Sequence, residues 1–238
     1  MPRIAALLLA VASSLACAWS WAAPELAIVV YGGTGHIGQR IVDEALNRGH
    51  RVTVVVRDPK RAGAERARLR TIAGNVLDSG EVARTVAGAD VVVCAVSFRT
   101  PQPDYGGYRR AAESLITALR SLGGSAPRLI VVGGAGSLEQ SPGVLVADHI
   151  PPAYRGEVLG QKDALDYYRT VTDVSWTYFS PAATIAPGAR TGKFRLGGDR
   201  LITDAKGESR ISMEDYAVAV LDEAERPAHT RQRFTIGY

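Results

Sequence analysis

Hydrophobic positions along this chain fall into two kinds of run that alternate. Short apolar stretches rich in Val, Ile and Leu recur at 26–31, 51–56, 70–73, 90–96, 128–132 and 174–179, and each predicts a strand. Between them, over 36–48, 80–87, 107–122, 157–170 and 212–225, apolar residues recur every third or fourth position, the spacing of one helix face. Val91-Val-Val-Cys-Ala-Val96 and Leu129-Ile-Val-Val132 do not alternate with polar residues. Strands buried on both faces have this pattern, so a parallel sheet covered by helices is expected, in three α/β/α layers. Ser212-Met-Glu-Asp215 has the spacing of a capping box, with Asp215 in place of the usual Glu. Repeats, low-complexity tracts and a clear linker are absent, which predicts one domain over 24–238.

Residues 1–23 have a different composition. Arg3 precedes an apolar run from Ile4 to Ala18, and Trp19-Ser-Trp-Ala-Ala-Pro24 follows, with a cleavage point after Ala22. This is the layout of a signal peptide. The run is short for a spanning helix, so no stable membrane anchor is expected. Cys17 is a poor lipoprotein site, because Ser14 stands where a large aliphatic residue belongs. A cleaved leader predicts an exported, periplasmic protein. A true start near Pro24 would instead make it cytoplasmic. Cys94 is the one cysteine beyond Pro24, so no internal disulfide is expected.

The chemistry begins where the first strand meets the first helix. Leu26-Ala-Ile-Val-Val-Tyr31 runs into Gly32-Gly33-Thr34-Gly35-His36-Ile37-Gly38, and the helical pattern starts at once. Gly32 allows the chain to turn sharply, Gly35 lets backbone N–H groups approach a pyrophosphate, and Gly38 lets helix and strand pack closely. A dinucleotide is therefore expected. In NAD-specific sites a carboxylate about 20 residues beyond the glycines holds the ribose 2′-hydroxyl. Here the second strand ends in Arg57-Asp58-Pro59-Lys60-Arg61, and Arg57 takes that place. A guanidinium suits a 2′-phosphate, and Lys60 and Arg61 add positive field, which predicts NADP(H) over NAD(H). Asp58 turning inward, or Arg57 left as a solvated loop charge, is the competing reading.

Charge changes this picture little. The net charge of +4 is spread along the chain, and Arg57–Arg70 is its densest part, without an aromatic stacking platform. Nucleic-acid binding is not expected. The four histidines lack metal-ligand spacing and there is no cysteine cluster, so no metal is implied. An exported leader conflicts with NADPH, a cytoplasmic resource, and no twin-arginine pair marks export of a folded form. Either the start is mis-assigned or an exported chain uses another ligand. Residues 97–106, 133–155 and 180–198 form long loops beyond strand ends, where open α/β sheets bind ligands.

With these elements placed, the chain resembles the atypical short-chain dehydrogenase/reductases. Within them it is most similar to the NADH-flavin reductase group, relatives of NmrA-like proteins and of the biliverdin reductase B type. The resemblance rests on the glycine loop 32–38, Gly74-Asn-Val-Leu-Asp78, Arg128-Leu-Ile-Val-Val-Gly-Gly-Ala-Gly-Ser-Leu-Glu139, Ser180-Pro-Ala-Ala183, Gly188–Gly198 and Ser209–Ala217. It implies a doubly wound, Rossmann-like parallel sheet. It also implies that Asn75, with Val76 after it, lies beside the adenine and that Ala95-Val96-Ser97 passes under the adenine ribose. Gly133 and Gly134 would border the cofactor and lead to Ser137, facing the nicotinamide, and Pro181-Ala182-Ala183 would hold its carboxamide. Ser137 capping its own turn is an equal alternative.

One departure bears on catalysis. Typical members of the wider superfamily use Tyr-x-x-x-Lys as a proton donor, but Tyr154 is followed four residues later by Val158, with Lys162 a turn too far. Tyr154 is expected in a loop. Flavin reduction needs no dedicated acid, because hydride passes from nicotinamide C4 to flavin N5 and water protonates N1. A reductase of a flavin or quinone-like small-molecule acceptor is the leading expectation. A non-catalytic NADP(H) sensor of the NmrA type is the alternative. His149, in a loop over the expected pocket, is either a proton donor or, as favoured, a surface histidine; His36 is expected near the phosphates. Oligomeric state leaves no trace in the sequence.

Overall fold

The structure is a computed structural model that describes residues 24–58, 66–99 and 102–238. The expected signal peptide, Lys60 and Arg61 lie outside the described residues. Eight strands form the main sheet: β1 (Ala27–Tyr31), β2 (Arg51–Val56), β3 (Leu69–Ala73), β4 (Val91–Cys94), β5 (Arg128–Val132), β6 (Trp176–Ser180), β7 (Arg195–Gly197) and β8 (Gln232–Gly237). Their spatial order is β7-β8-β6-β5-β4-β1-β2-β3. Only β7 runs antiparallel, against β8; all other neighbours in this sheet pair in parallel. Among the described residues five α-helices accompany it: α1 (His36–Asn47), α2 (Ser79–Val86), α3 (Gly107–Leu122), α4 (Pro152–Thr170) and α5 (Met213–Glu225). This is the parallel sheet that the apolar pattern predicts, in the doubly wound, Rossmann-like order that the resemblance implies.

The unbroken apolar strands dictate the layering. Successive side chains of a strand point to opposite faces. Val29, Tyr31, Val92, Leu129 and Val131 therefore pack beneath α2, α3 and α4, through Val82, Leu115, Ile116 and Leu165. Ile28, Val30, Val91, Val93 and Ile130 pack on the other face against Ile41 and Val42 of α1 and Val220 and Leu221 of α5. Each fully buried aliphatic contributes about 1.5–3 kcal/mol. β1 is flanked by β2 on one side and β4 on the other, so the chain order reverses there and the carboxyl ends of the two strands part into a crevice.

Departures from expectation include the start of α4, two added strands of the main sheet, β7 and β8, and the capping box. α4 begins at Pro152, not 157, because Pro at the first turn presets the helical φ and lacks only an N–H that has no partner there. β8 is an added strand, paired with β6 from Gln232–Thr177 to Thr235–Ser180. Its Arg233 is buried, 3% exposed at the side chain, and its Nε donates to Asp199 at 2.6 Å. An arginine in so short a run hides the strand from a sequence window. The capping box forms by half: the Asp215 N–H donates to Ser212 Oγ at 3.0 Å, but the Ser212 N–H is taken by the Tyr238 hydroxyl at 3.2 Å.

Candidate functional site

β1 ends at Tyr31 and the chain turns at Gly32, whose φ of +79° and approach to β4 require glycine; a methyl there would lie 2.3 Å from Ala95 O. At Gly38 a methyl would lie 2.1 Å from Gly32 O, so α1 docks directly on the turn. Gly35 is the N-cap of α1 and supplies no side-chain cap. The first-turn N–H groups of a helix have no intrahelical acceptors, and the first turn of α1 has no acidic residue to compete for them. The space around Gly35 is open apart from Gly32 O, 3.3 Å from where a methyl would stand. An uncapped, unobstructed helix N-terminus fits a pyrophosphate.

From this loop a cleft of about 800 Å³ runs over the carboxyl ends of the strands. Gly35–Gly38 line it on one side, Ala95-Val96-Ser97 beyond β4, Val132 at the end of β5 with Gly133–Gly136 beyond it, and Pro181-Ala182-Ala183 beyond β6. The volume is that of a small-molecule site. Ser209 Oγ fixes the last of these turns by accepting the Ala183 N–H at 3.1 Å.

The other expected residues lie around the cleft rather than on its lining. Gly33 is buried under the turn and Thr34 is exposed on it. Arg57 is exposed one residue past β2, at the end of the sheet where the glycine loop stands, since Tyr31 pairs with Val55. Asn75 is exposed, and its Oδ1 accepts the Leu77 N–H at 3.0 Å in a turn of its own. Val76 is buried in the core beneath α2 and α3. Ser137 closes a short 3-10 turn, Ala135–Ser137, and is half-buried, with its carbonyl facing Arg233. His149 is exposed and off the lining, whereas its neighbours Val146 and Ile150 are on it. The turn Val146–His149 directs its apolar residues inward, so the histidine faces solvent.

α4 contributes what sequence reasoning missed. Tyr154, Glu157, Val158 and Gln161 all line the cleft, the i, i+3, i+4, i+7 stripe of a helix face. Tyr154, expected in a loop, is in the first turn of this helix. Lys162 is off the stripe and donates to Asp166 at 2.6 Å, so no Tyr–Lys pair forms here. The Tyr178 hydroxyl donates to Gln161 O at 3.0 Å and ties α4 to β6. Tyr108 of α3 reaches the cleft and its hydroxyl donates to Glu157 Oε1 at 3.1 Å. Burial pushes the Tyr108 phenol above the usual tyrosine range, so it stays protonated and serves as a donor. Arg99 donates through Nε to Glu157 Oε2, and its guanidinium lies 5.7 Å from the Tyr154 ring centroid. The signal for this group was the spacing along α4, but it reads as cleft-facing only once the helix is known to begin at Pro152.

Asp215 holds the remaining wall. Buried at the start of α5, it accepts the N–H groups of Thr191 and Gly192 at 2.7 and 2.8 Å and the Tyr238 hydroxyl at 2.8 Å. Burial alone would raise its pKa, but these bonds and the Thr191 hydroxyl outweigh it and hold the carboxyl below the usual aspartate range. The carboxylate thus clamps the 188–193 loop to α5, beside Ile185 and Met213 on the cleft lining.

A doubly wound sheet with an open glycine loop at its switch point defines a dinucleotide-binding class. The chain belongs to the NAD(P)H-binding family, whose model matches residues 32–224. A "putative exported protein" from Burkholderia pseudomallei is 42% identical; the match covers 90% of this chain and 100% of that one, with a TM-score of 0.80. A "putative epimerase" from Bacteroides thetaiotaomicron is 37% identical over 90% and 98% of the two chains, with a TM-score of 0.82. A "putative NADH-flavin reductase" from Streptococcus pneumoniae is 30% identical over 89% and 99%, with a TM-score of 0.76.

Proposed function

We propose that this chain is an NAD(P)H-dependent reductase, with NADP(H) preferred, that passes hydride to a flavin or quinone-like acceptor. The observation that carries the reading is the wall built by α4 and the neighbouring loops. Val146, Ile150, Val158, Ile185 and Met213 make it apolar, Tyr154 adds an aromatic face, and among the described residues no lysine is on the cleft lining. Such a wall suits a planar aromatic acceptor and offers no Tyr–Lys proton donor, which argues against alcohol or epimerase chemistry despite the name of the Bacteroides relative. The name of the Streptococcus relative supports the acceptor class. The reaction balances as NAD(P)H plus acceptor plus one proton giving NAD(P)+ and the two-electron-reduced acceptor, with water as proton source. The protein's part is to align two rings and exclude bulk solvent.

Arg57 supports the 2′-phosphate preference by its place past β2, beside the glycine loop. The test is absorbance at 340 nm with NADPH or NADH and FMN or menadione as acceptor. Faster loss of NADPH than NADH is expected. Tight binding of NADPH without turnover on any acceptor would instead identify a sensor. Residues 1–23 support export, as does the name of the Burkholderia relative; N-terminal sequencing of the protein from the producing cell checks it, with Ala23 as the expected first residue.

A further inference from the structure

We infer that Arg99 recognises an anionic group on the acceptor, so that the acceptor is a phosphorylated flavin such as FMN rather than riboflavin; this rests on the reductase reading above. Arg99 lies on the loop beyond β4, on the cleft lining. Two contacts from α4, on the facing wall, hold it: Glu157 takes its Nε, and the Tyr154 ring packs at its guanidinium. A side chain held in this way loses little further freedom when it binds. The pair with Glu157 runs through Nε, the inner nitrogen, while the guanidinium fork carries two more nitrogens whose planar geometry matches phosphate oxygens.

Depth in the cleft gives the pair a direction. The Glu157 side chain is 12% exposed and that of Arg99 is 60% exposed. Among the described residues, Glu157 and Arg99 are the carboxylate and the guanidinium of the cleft lining. An anion entering from solvent meets the cation first, with the carboxylate set behind it. A neutral ribityl hydroxyl can accept a hydrogen bond here, whereas a terminal phosphate gains the stronger bond in which both partners are charged.

FMN and riboflavin differ only in that phosphate, so kcat/KM for each, at saturating NADPH, is the test. The unmodified protein should prefer FMN by about tenfold, the scale of one charge-assisted contact. Arg99→Ala should lower kcat/KM for FMN by about tenfold and bring the FMN-to-riboflavin ratio near one, while Arg99→Lys keeps part of the preference. Added salt should raise KM for FMN more than for riboflavin. A ratio near one in the unmodified protein, or a preference that survives Arg99→Ala, overturns the inference. Reduction of menadione but of neither flavin overturns it too and leaves the reductase reading standing. If neither flavins nor menadione are reduced, the reductase reading itself fails.

Discussion

Arg57 and Asn75 lie just past the carboxyl ends of the neighbouring strands β2 and β3, and of the two only Arg57 carries the charge on which the proposed NADPH preference rests. Hydrogen bonds to charged groups contribute about 1.5–3 kcal/mol, and less where solvent screens them. Arg57→Ala should therefore weaken NADPH by about tenfold or more and NADH by much less, as read by quenching of intrinsic tryptophan fluorescence. Equal loss for both would remove Arg57 from 2′-phosphate recognition. The residues of the glycine loop were legible in the sequence because each glycine answers a local need: a positive φ at Gly32, close approach at Gly38. Tyr108, Arg99 and Glu157 were not. Their grouping joins α3, the β4 loop and α4 across 58 residues of chain, and no local pattern encodes that.

At the scale of elements, α1 is a helix whose N-terminus is left uncapped. An aspartate at Gly35 would both cap the helix and place a negative charge where the pyrophosphate fits. Gly35→Asp should abolish dinucleotide binding while urea unfolding shifts by no more than about 1 kcal/mol. Unimpaired binding would remove the phosphates from this helix end. α5 offers the opposite case. Removing the Asp215 carboxylate strands the N–H groups of Thr191 and Gly192 and the Tyr238 hydroxyl, so Asp215→Ala should cost about 2–4 kcal/mol in urea unfolding. Most elements could be read from spacing, within a few residues at their ends. The capping spacing Ser212–Asp215 was legible too, but the partner of Asp215 was not, because it depends on a loop folded back from residue 191.

For the molecule as a whole, two buried carboxylates link stability to pH. The Arg190 guanidinium, with Arg48, holds Glu44 below the usual glutamate range against the effect of burial, and Asp215 is held low by its own hydrogen bonds. A depressed folded-state pKa means stability that is fully present above the unfolded value, near about 4, and lost as pH falls through the folded one. Urea midpoints should stay level from neutrality down to about pH 5 and fall below about pH 4, with a shallower fall in Asp215→Ala. A midpoint that declines already between pH 7 and 5 would point to other groups.

The layers, the parallel sheet and the dinucleotide loop could be read from the amino-acid sequence alone. Apolar runs, helical spacing and glycine requirements are short-range properties, and a window of a few residues contains their cause. Tertiary structure alone decided which faces of α3 and α4 border the cleft, that β8 completes the sheet beside β6, and that His149 points to solvent while Glu157 does not. Each of these depends on which distant segments meet, and strand order and helix docking set that, not the identity of neighbours along the chain.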